Sequence, residues 1–368
     1  MLCVFPQLSS AFGSQEVMRN ASGRTLPAFL TGGDISLYDL EMQHGQVYKQ
    51  DGKPANLLTI FKKAGCNCMR VRIWVHPTDQ GIFVNNLPYT IKLGREIKKA
   101  GLKLLLDLHY SDTWADGGHQ PTPAAWQGLG IQQLKTKLYN YTRKVITAMR
   151  RGGAMPDIVQ VGNEITGGMC WPVGKDFGPG NSFTNLGILL KAGIKGVKDG
   201  SGNLPSPFIM IHIDRGGSWQ GTKWFFDNII KQGVKFDIIG ESYYPIWQGS
   251  LADLRNTLNH AAETFHKPIM VVETGYAYAD DGRPAVKGIN YPKTPAGQAQ
   301  FLSDVLKIVR DTPDGLGCGV IYWAPEWIPM KGVDGSWYHM TLFDGKGNVL
   351  PGLAVLGHGP KPLEMVTH

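Results

Sequence analysis

The sequence predicts an α/β protein built as a single (β/α)8 TIM barrel. Three observations carry this. Eight short apolar runs recur along the 368 residues. Helix-like stretches separate them. No linker or shift in composition splits the chain into two domains. A doubly wound open sheet is the alternative, but no glycine-rich phosphate fingerprint follows the first run.

The strand-like runs are AFLTGGDIS (28–36), CMRVRIWV (68–75), KLLLDLHY (103–110), DIVQVGNE (157–164), FIMIHID (208–214), FDIIGESYY (236–244), PIMVVET (268–274) and GVIYWAP (319–325). Several are apolar almost throughout, as strands covered on both faces should be. Between them, 57–65 and 90–102 each reach a glycine after basic residues, a helix stop signal. The stretch 131–153 has apolar spacing near 3.6 and predicts the longest helix. The last helix is the weakest signal, a short one over PGLAVLGH.

Composition narrows the function classes. Hydrophobic residues make up 42% and charged residues 18%, which suits a large core and excludes disorder. Ten tryptophans suit stacking on sugar rings, and equally a Trp-rich core. The formal charge is +7, but cations such as Lys62, Lys63, Lys98, Lys99 and Lys103 are scattered on expected helix faces. No basic run or nucleic-acid motif is present, so no nucleic-acid partner is expected. A mild attraction to an acidic polysaccharide such as pectin is compatible with the charge. Five cysteines (Cys3, Cys66, Cys68, Cys170, Cys318) show no zinc spacing and read mostly as small buried hydrophobes. No apolar stretch reaches 18 residues, so no membrane span is expected. Residues 1–14 look like a weak or truncated signal peptide without a basic start. The expected layout is an N-terminal extension or signal remnant over 1–24 and a catalytic barrel over 25–368, secreted or periplasmic, and monomeric.

Polar residues gather at one end of nearly every run. Strand 2 carries Arg70 and Arg72, and strand 3 ends in Asp107, His109 and Tyr110. Strand 4 ends in Asn163 and Glu164, and strand 5 in His212 and Asp214. Strand 6 ends in Tyr243 and Tyr244, strand 7 in Glu273, and strand 8 carries Trp323. Buried polar groups are costly without partners, so such a concentration points to a site at the C-terminal mouth of the barrel. Glu164 and Glu273 sit three strands apart, where two carboxyl groups can face each other. Paired carboxylates are the machinery of glycoside hydrolysis. One must hold a proton while the other is ionised, and Arg70 is the candidate cation beside the ionised one. Asp112 and Trp114, in the loop after strand 3, are candidates to line a sugar cleft. Trp171, Trp323 and Trp327 are candidate stacking platforms.

HYSDTWAD, GNEI, the WP after it, SYYP and VVET, in that order, resemble glycoside hydrolase family 53, the endo-β-1,4-galactanases of clan A. The resemblance runs from about Gly33 to about Val355. It implies a retaining mechanism on β-1,4-galactan of pectin side chains, with no cofactor. It implies Glu164 as acid/base, Glu273 as nucleophile, Asn163 at the sugar 2-hydroxyl, Tyr244 on the nucleophile and Arg70 as the strand 2 arginine. Three segments depart from the family pattern: Arg215 after strand 5, Glu241 before SYYP, and WAPEW, which has Ala324 in place of a glutamate and Glu326 beyond it. Arg215 and Glu241 are expected to pair. Some bacterial relatives hold calcium in the loop after strand 7. Here that loop offers Asp280 and Asp281 before proline and aliphatics, and no metal site is expected. Other readings stay open: a clan A retaining hydrolase of mannan or xylan, and a non-catalytic carbohydrate-binding barrel.

Overall fold

The computed structural model describes residues 17–178, 182–284, 286, 288–333 and 337–358. Eight parallel strands close into a barrel. They are β1 (Leu30–Asp34), β2 (Cys68–Ile73), β3 (Lys103–Leu108), β4 (Ile158–Val161), β5 (Phe208–Ile213), β6 (Ile238–Tyr243), β7 (Ile269–Thr274) and β8 (Gly317–Trp323). The main outer helices are α1 (Leu57–Lys63), α2 (Leu87–Lys99), α3 (Ile131–Arg151), α4 (Phe183–Gly200), α5 (Trp219–Lys231), α6 (Leu251–Phe265), α7 (Pro295–Arg310) and α8 (Pro351–His358).

Local chemistry fixes where the helices begin. Asn56 accepts from Thr59 N, Asn86 from Tyr89 N, Ser218 from Gly221 N, and Thr294 from Gly297 N. Each cap satisfies a backbone donor that the first turn leaves free. Ser250 and Asp253 form a reciprocal capping box on α6. Helix α3 buries Leu134, Leu138, Val145, Ile146 and Met149 along one stripe, as its spacing predicts.

Alternation along the strands sorts the barrel interior into two levels. Leu30, Cys68, Leu105, Ile158, Phe208, Met210, Ile238, Met270, Val272, Cys318 and Ile321 form an apolar floor. Truncating one of these, such as Met210, would cost about 2–5 kcal/mol. Above the floor the same strands turn polar: Asp34, Arg70, Asp107, Gln160, His212, Ser242 and Glu273 are all buried. Close backbone approach on β1 demands a glycine, because a Cβ on Gly32 would lie 1.6 Å from the Cys68 carbonyl oxygen.

A hairpin, Val17–Arg19 paired with Thr25–Pro27, covers the floor from below. Leu26 joins the floor cluster and Met18 packs against it. Asn20 Nδ2 donates to the Ser206 carbonyl at 3.0 Å, and Arg24 Nη2 to the Pro205 carbonyl at 2.6 Å. The expected boundary between residues 24 and 25 therefore falls inside this hairpin, and residues 17–24 belong to the closed end of the barrel. The signal-like stretch and Cys3 lie outside the described residues. Cys66, Cys68, Cys170 and Cys318 are buried free thiols. Among the described residues, no helix is long and apolar enough to cross a membrane.

Candidate active site

Arg70 is the hub of the polar level. Its position on β2 points it inward, since Met69 and Val71 on either side belong to the outer core. Nη1 lies 2.8 Å from Asp34 Oδ2 and 2.8 Å from Glu273 Oε1. Nη2 lies 2.9 Å from Asp107 Oδ2 and donates to Asn163 Oδ1 at 2.7 Å, and Nε donates to Gln160 Oε1 at 3.2 Å. One guanidinium thus serves three carboxylates. Burial alone would lower the Arg70 pKa, but Asp107, Glu273 and Asp34 raise it above its ordinary value. Burial pushes Asp107 up, yet Arg70 and His109 hold it below the usual range. His109 Nδ1 accepts from Trp74 Nε1 at 3.3 Å, so its Nε2 carries the proton and donates to Asp107 at 2.9 Å.

The two glutamates sit in different surroundings. Glu273 lies on β7 and is 6% exposed. It meets Arg70 and accepts from the Tyr244 hydroxyl at 3.2 Å. Burial pushes its carboxyl up to about 7 against the opposing pull of Arg70. Among the described residues, Glu164 forms no ion pair. Burial, then the charges of Glu273 and Asp214, push its carboxyl well above the usual range. Glu273 therefore ionises first and Glu164 keeps its proton longer.

β4 ends at Val161, so Asn163 and Glu164 lie just past the strand. Glu164 takes left-handed backbone angles, φ 47° and ψ 49°. Its Oε1 is 2.6 Å from Ser242 Oγ, which is 2.9 Å from His212 Nε2. His212 Nδ1 faces Asn163 Oδ1 at 3.0 Å and the Glu164 backbone N–H at 3.4 Å. Burial, then Arg70, depress the His212 pKa, so the ring is neutral. This chain has two consistent proton arrangements. With Glu164 ionised, Ser242 donates to it, His212 Nε2–H donates to Ser242, and Nδ1 accepts the Glu164 N–H. With Glu164 protonated, the two bonds through Ser242 reverse, and Nδ1–H donates to Asn163 in place of accepting the Glu164 N–H. A bulge between Glu241 and Ser242 sets Ser242 opposite Glu273, bringing both carboxyl groups to one place.

Above this network is a cavity of about 640 Å³. Of the candidate residues, Arg70, His109, Trp114, Asn163, Glu164, Asp214, Tyr244, Glu273, Trp323 and Trp327 line it. Trp114 stacks on Trp327 at 6.4 Å between centroids and tilts against Trp323 at 6.0 Å. Arg72 supports this wall from behind, 4.5 Å from the Trp114 ring and 4.8 Å from that of Trp74. Gly117 closes over Asp214, and a Cβ there would come 2.3 Å from Asp214 Oδ2.

Three candidates stand elsewhere. His212 is fully buried beneath Glu164 and meets the cavity lining from behind, through Asn163 Oδ1, the Glu164 backbone N–H and Ser242. Asp112 ties its loop together, accepting from His76 N at 2.9 Å and Ala124 N at 2.8 Å. Trp171 donates to the Gly167 carbonyl at 2.8 Å and packs against Phe177, away from the cleft. The departures also resolve differently from expectation. Glu241 bonds the Arg215 backbone N–H at 3.1 Å and the Thr222 hydroxyl at 2.9 Å, while the Arg215 side chain makes no ion pair with it among the described residues. Glu241 is buried on the helix side of β6, whereas Arg215 is an exposed cation at the cleft lip. Glu326 turns away from the cleft, accepts from Leu37 N at 3.2 Å, and is pushed up to about 8 by burial and Asp34. Asp281 is held by Lys293 and Arg283.

Ser242, Gln160, Trp247 and Trp337 escaped the sequence reading. Ser242 had a usable signal, since it stands two residues before Tyr244 and alternation puts both on one face. Trp247 comes from a single-turn helix, Pro245–Gln248, and Trp337 from a loop, and neither is long enough for periodicity to carry information.

The sequence model for glycosyl hydrolase family 53 matches residues 30–356. The chain belongs to glycoside hydrolase family 53. An arabinogalactan endo-β-1,4-galactanase from Humicola insolens is 38% identical over 340 residues, spanning 88% of this chain and 97% of that protein. A solved fungal β-1,4-galactanase superposes with a TM-score of 0.81 at 37% identity, covering 89% of this chain and 99% of that one. The family 53 catalytic domain of Ignisphaera aggregans gives 0.82 at 34% identity, covering 90% and 96%.

Proposed function

We propose that this glycoside hydrolase cuts internal β-1,4-galactosidic bonds of galactan and type I arabinogalactan with retention of configuration. The observation that carries the mechanism is the asymmetry of the two glutamates: Glu273 sits against Arg70 at 2.8 Å, and Glu164 against a neutral serine at 2.6 Å. The substrate follows from the relatives named above. The cavity lies within the roughly 300–1,000 Å³ typical of ligand clefts.

In the proposed reaction, Glu273 attacks the anomeric carbon as the bond to the leaving oxygen breaks. Glu164 gives its proton to that oxygen. A galactosyl ester on Glu273 results. Glu164, now a carboxylate, takes a proton from water, whose oxygen attacks the anomeric carbon and releases Glu273. Arg70 and Tyr244 keep Glu273 ionised and aimed. Asn163 is placed to bond the 2-hydroxyl, a contact that gains strength as charge develops on the sugar ring. Ser242 and His212 follow the proton state of Glu164 by reversing their hydrogen bonds.

Reducing-sugar release from linear galactan, mannan and xylan, with the product anomer followed by NMR, tests this reading. Galactan-selective internal cleavage with the β-anomer formed first is expected. Preference for mannan or xylan, or the α-anomer first, would overturn it. Glu164→Gln and Glu273→Gln should abolish hydrolysis while sparing binding, and parent-like activity in either would exclude its assigned role. A polymeric substrate supports action outside the cytoplasm, secreted or periplasmic. A site complete within one chain supports a monomer.

A further inference from the structure

Helix α3 carries a charge pattern unlike its neighbours. Its 21 residues include Lys135, Lys137, Arg143, Lys144, Arg150 and Arg151, and no acid. Helices α4, α5 and α7 each neutralise a lysine with an aspartate one turn on: Lys195–Asp199, Lys223–Asp227 and Lys307–Asp311. Such pairing is the ordinary way to build an exposed helix face. On α3, Arg143, Lys144 and Arg151 instead line a depression of about 550 Å³, with Thr147 and Ala148 completing it. All three cations are exposed, and none forms an ion pair among the described residues. Asp199, across from Arg143, is already held by Lys195 and the Tyr139 hydroxyl, each at 2.6 Å. The negative end of the helix dipole accounts for Arg150 and Arg151 in the last turn. It does not reach Arg143 and Lys144, about 12 Å back along the axis at 1.5 Å per residue.

We propose that this face of α3 binds a carboxylated polysaccharide, a polyuronate, as a second site separate from the cleft. Charge complementarity selects a polyanion, and the chain's +7 formal charge adds to the attraction. Evenly spaced carboxylates on a sugar chain suit cations spread along an axis, with Thr147 as a hydroxyl partner between them. Nucleic-acid binding by stacking has no free platform here, since Tyr139 is tied to Asp199. The cleft opens at the C-terminal ends of the strands, whereas α3 runs down the flank from Ile131, so the two sites do not compete. The role given to this surface rests on the galactan reading: neutral galactan branches hang from an acidic pectic backbone. Holding that backbone on the flank raises the local concentration of branches at the cleft.

Two measurements on the intact chain test this, with Arg143→Gln/Lys144→Gln/Arg151→Gln as the variant. In native gels containing polygalacturonate, the parent should be retarded, salt should release it, and the triple variant should run free. In kinetics at low salt, the parent's KM should be about tenfold lower on branched pectic galactan than on linear galactan. The variant should lose that difference while keeping the parent's kcat/KM on linear galactan and its thermal midpoint. Equal retardation of parent and variant would overturn the proposal. So would retardation by duplex DNA as strong as by polygalacturonate. Failure of the parent to cut linear galactan would refute the substrate reading instead, and the gel result would still decide whether polyuronate binds.

Discussion

Ser242→Ala isolates the proton-handling chain with almost no change in volume. It removes the hydroxyl that stands 2.6 Å from Glu164 and 2.9 Å from His212. With Glu164 ionised, that contact is a bond to a charged group, worth about 1.5–3 kcal/mol. With Glu164 protonated it is a neutral bond, worth about 0.5–1.5 kcal/mol. The ionised form therefore loses about 1–1.5 kcal/mol more, and about 1.4 kcal/mol corresponds to one pH unit. If Glu164 is the acid whose proton loss sets the alkaline limb of kcat/KM, that limb should move upward by about one pH unit. His212 also loses a buried partner, which costs about 1–3 kcal/mol of folding stability. The assay is the pH profile of kcat/KM on linear galactan, with urea unfolding as the control for stability. An alkaline limb that stays in place or moves downward, in a variant that folds, would refute the coupling of Ser242 to Glu164.

The acid limb reports the other carboxyl. Glu273 is pushed up to about 7, so kcat/KM should rise with pH through roughly that value, and a limb at the ordinary glutamate value would contradict the picture. Arg70→Met should destabilise by about 3–5 kcal/mol in urea unfolding, because Asp34, Asp107 and Glu273 lose their shared cation. In the same variant the acid limb should move upward, since Glu273 loses the charge that favours its ionised form. Glu326 titrates near 8 in the folded state, above its unfolded value, so the folded chain holds more protons than the unfolded chain between these values. Its contribution to stability is thus present at low pH and lost as pH rises toward 8, and Glu326→Gln should reduce the drop in urea midpoint between pH 5 and pH 8.

Much of the fold was legible because a parallel barrel strand is buried on both faces and reads as a nearly unbroken apolar run. The polar residues at the ends of those runs then mark the mouth. Arg70 and Glu273 lie on strands and Tyr244 one residue past one, where the backbone fixes which way a side chain points. Loop residues followed no such rule. Asp112 and Trp171 carry the right chemistry for a sugar cleft, yet the first is spent on two backbone donors and the second packs on its own loop. Glu326 shows the same limit, because only the path of the chain after β8 turns it from the cleft toward Leu37. Ser242 was legible by alternation back from Tyr244, because the bulge falls before it, between Glu241 and Ser242.

The left-handed backbone at Glu164 has a consequence for how this enzyme can be improved. A residue with a Cβ gives up about 1–2 kcal/mol in that conformation, and glycine or asparagine would recover much of it. Neither can shuttle a proton. On the proposed mechanism, selection for heat resistance alone would therefore drift toward replacements at position 164 that hold their shape better and cut nothing. Any screen for a sturdier enzyme has to score turnover alongside survival, or it will enrich inert barrels.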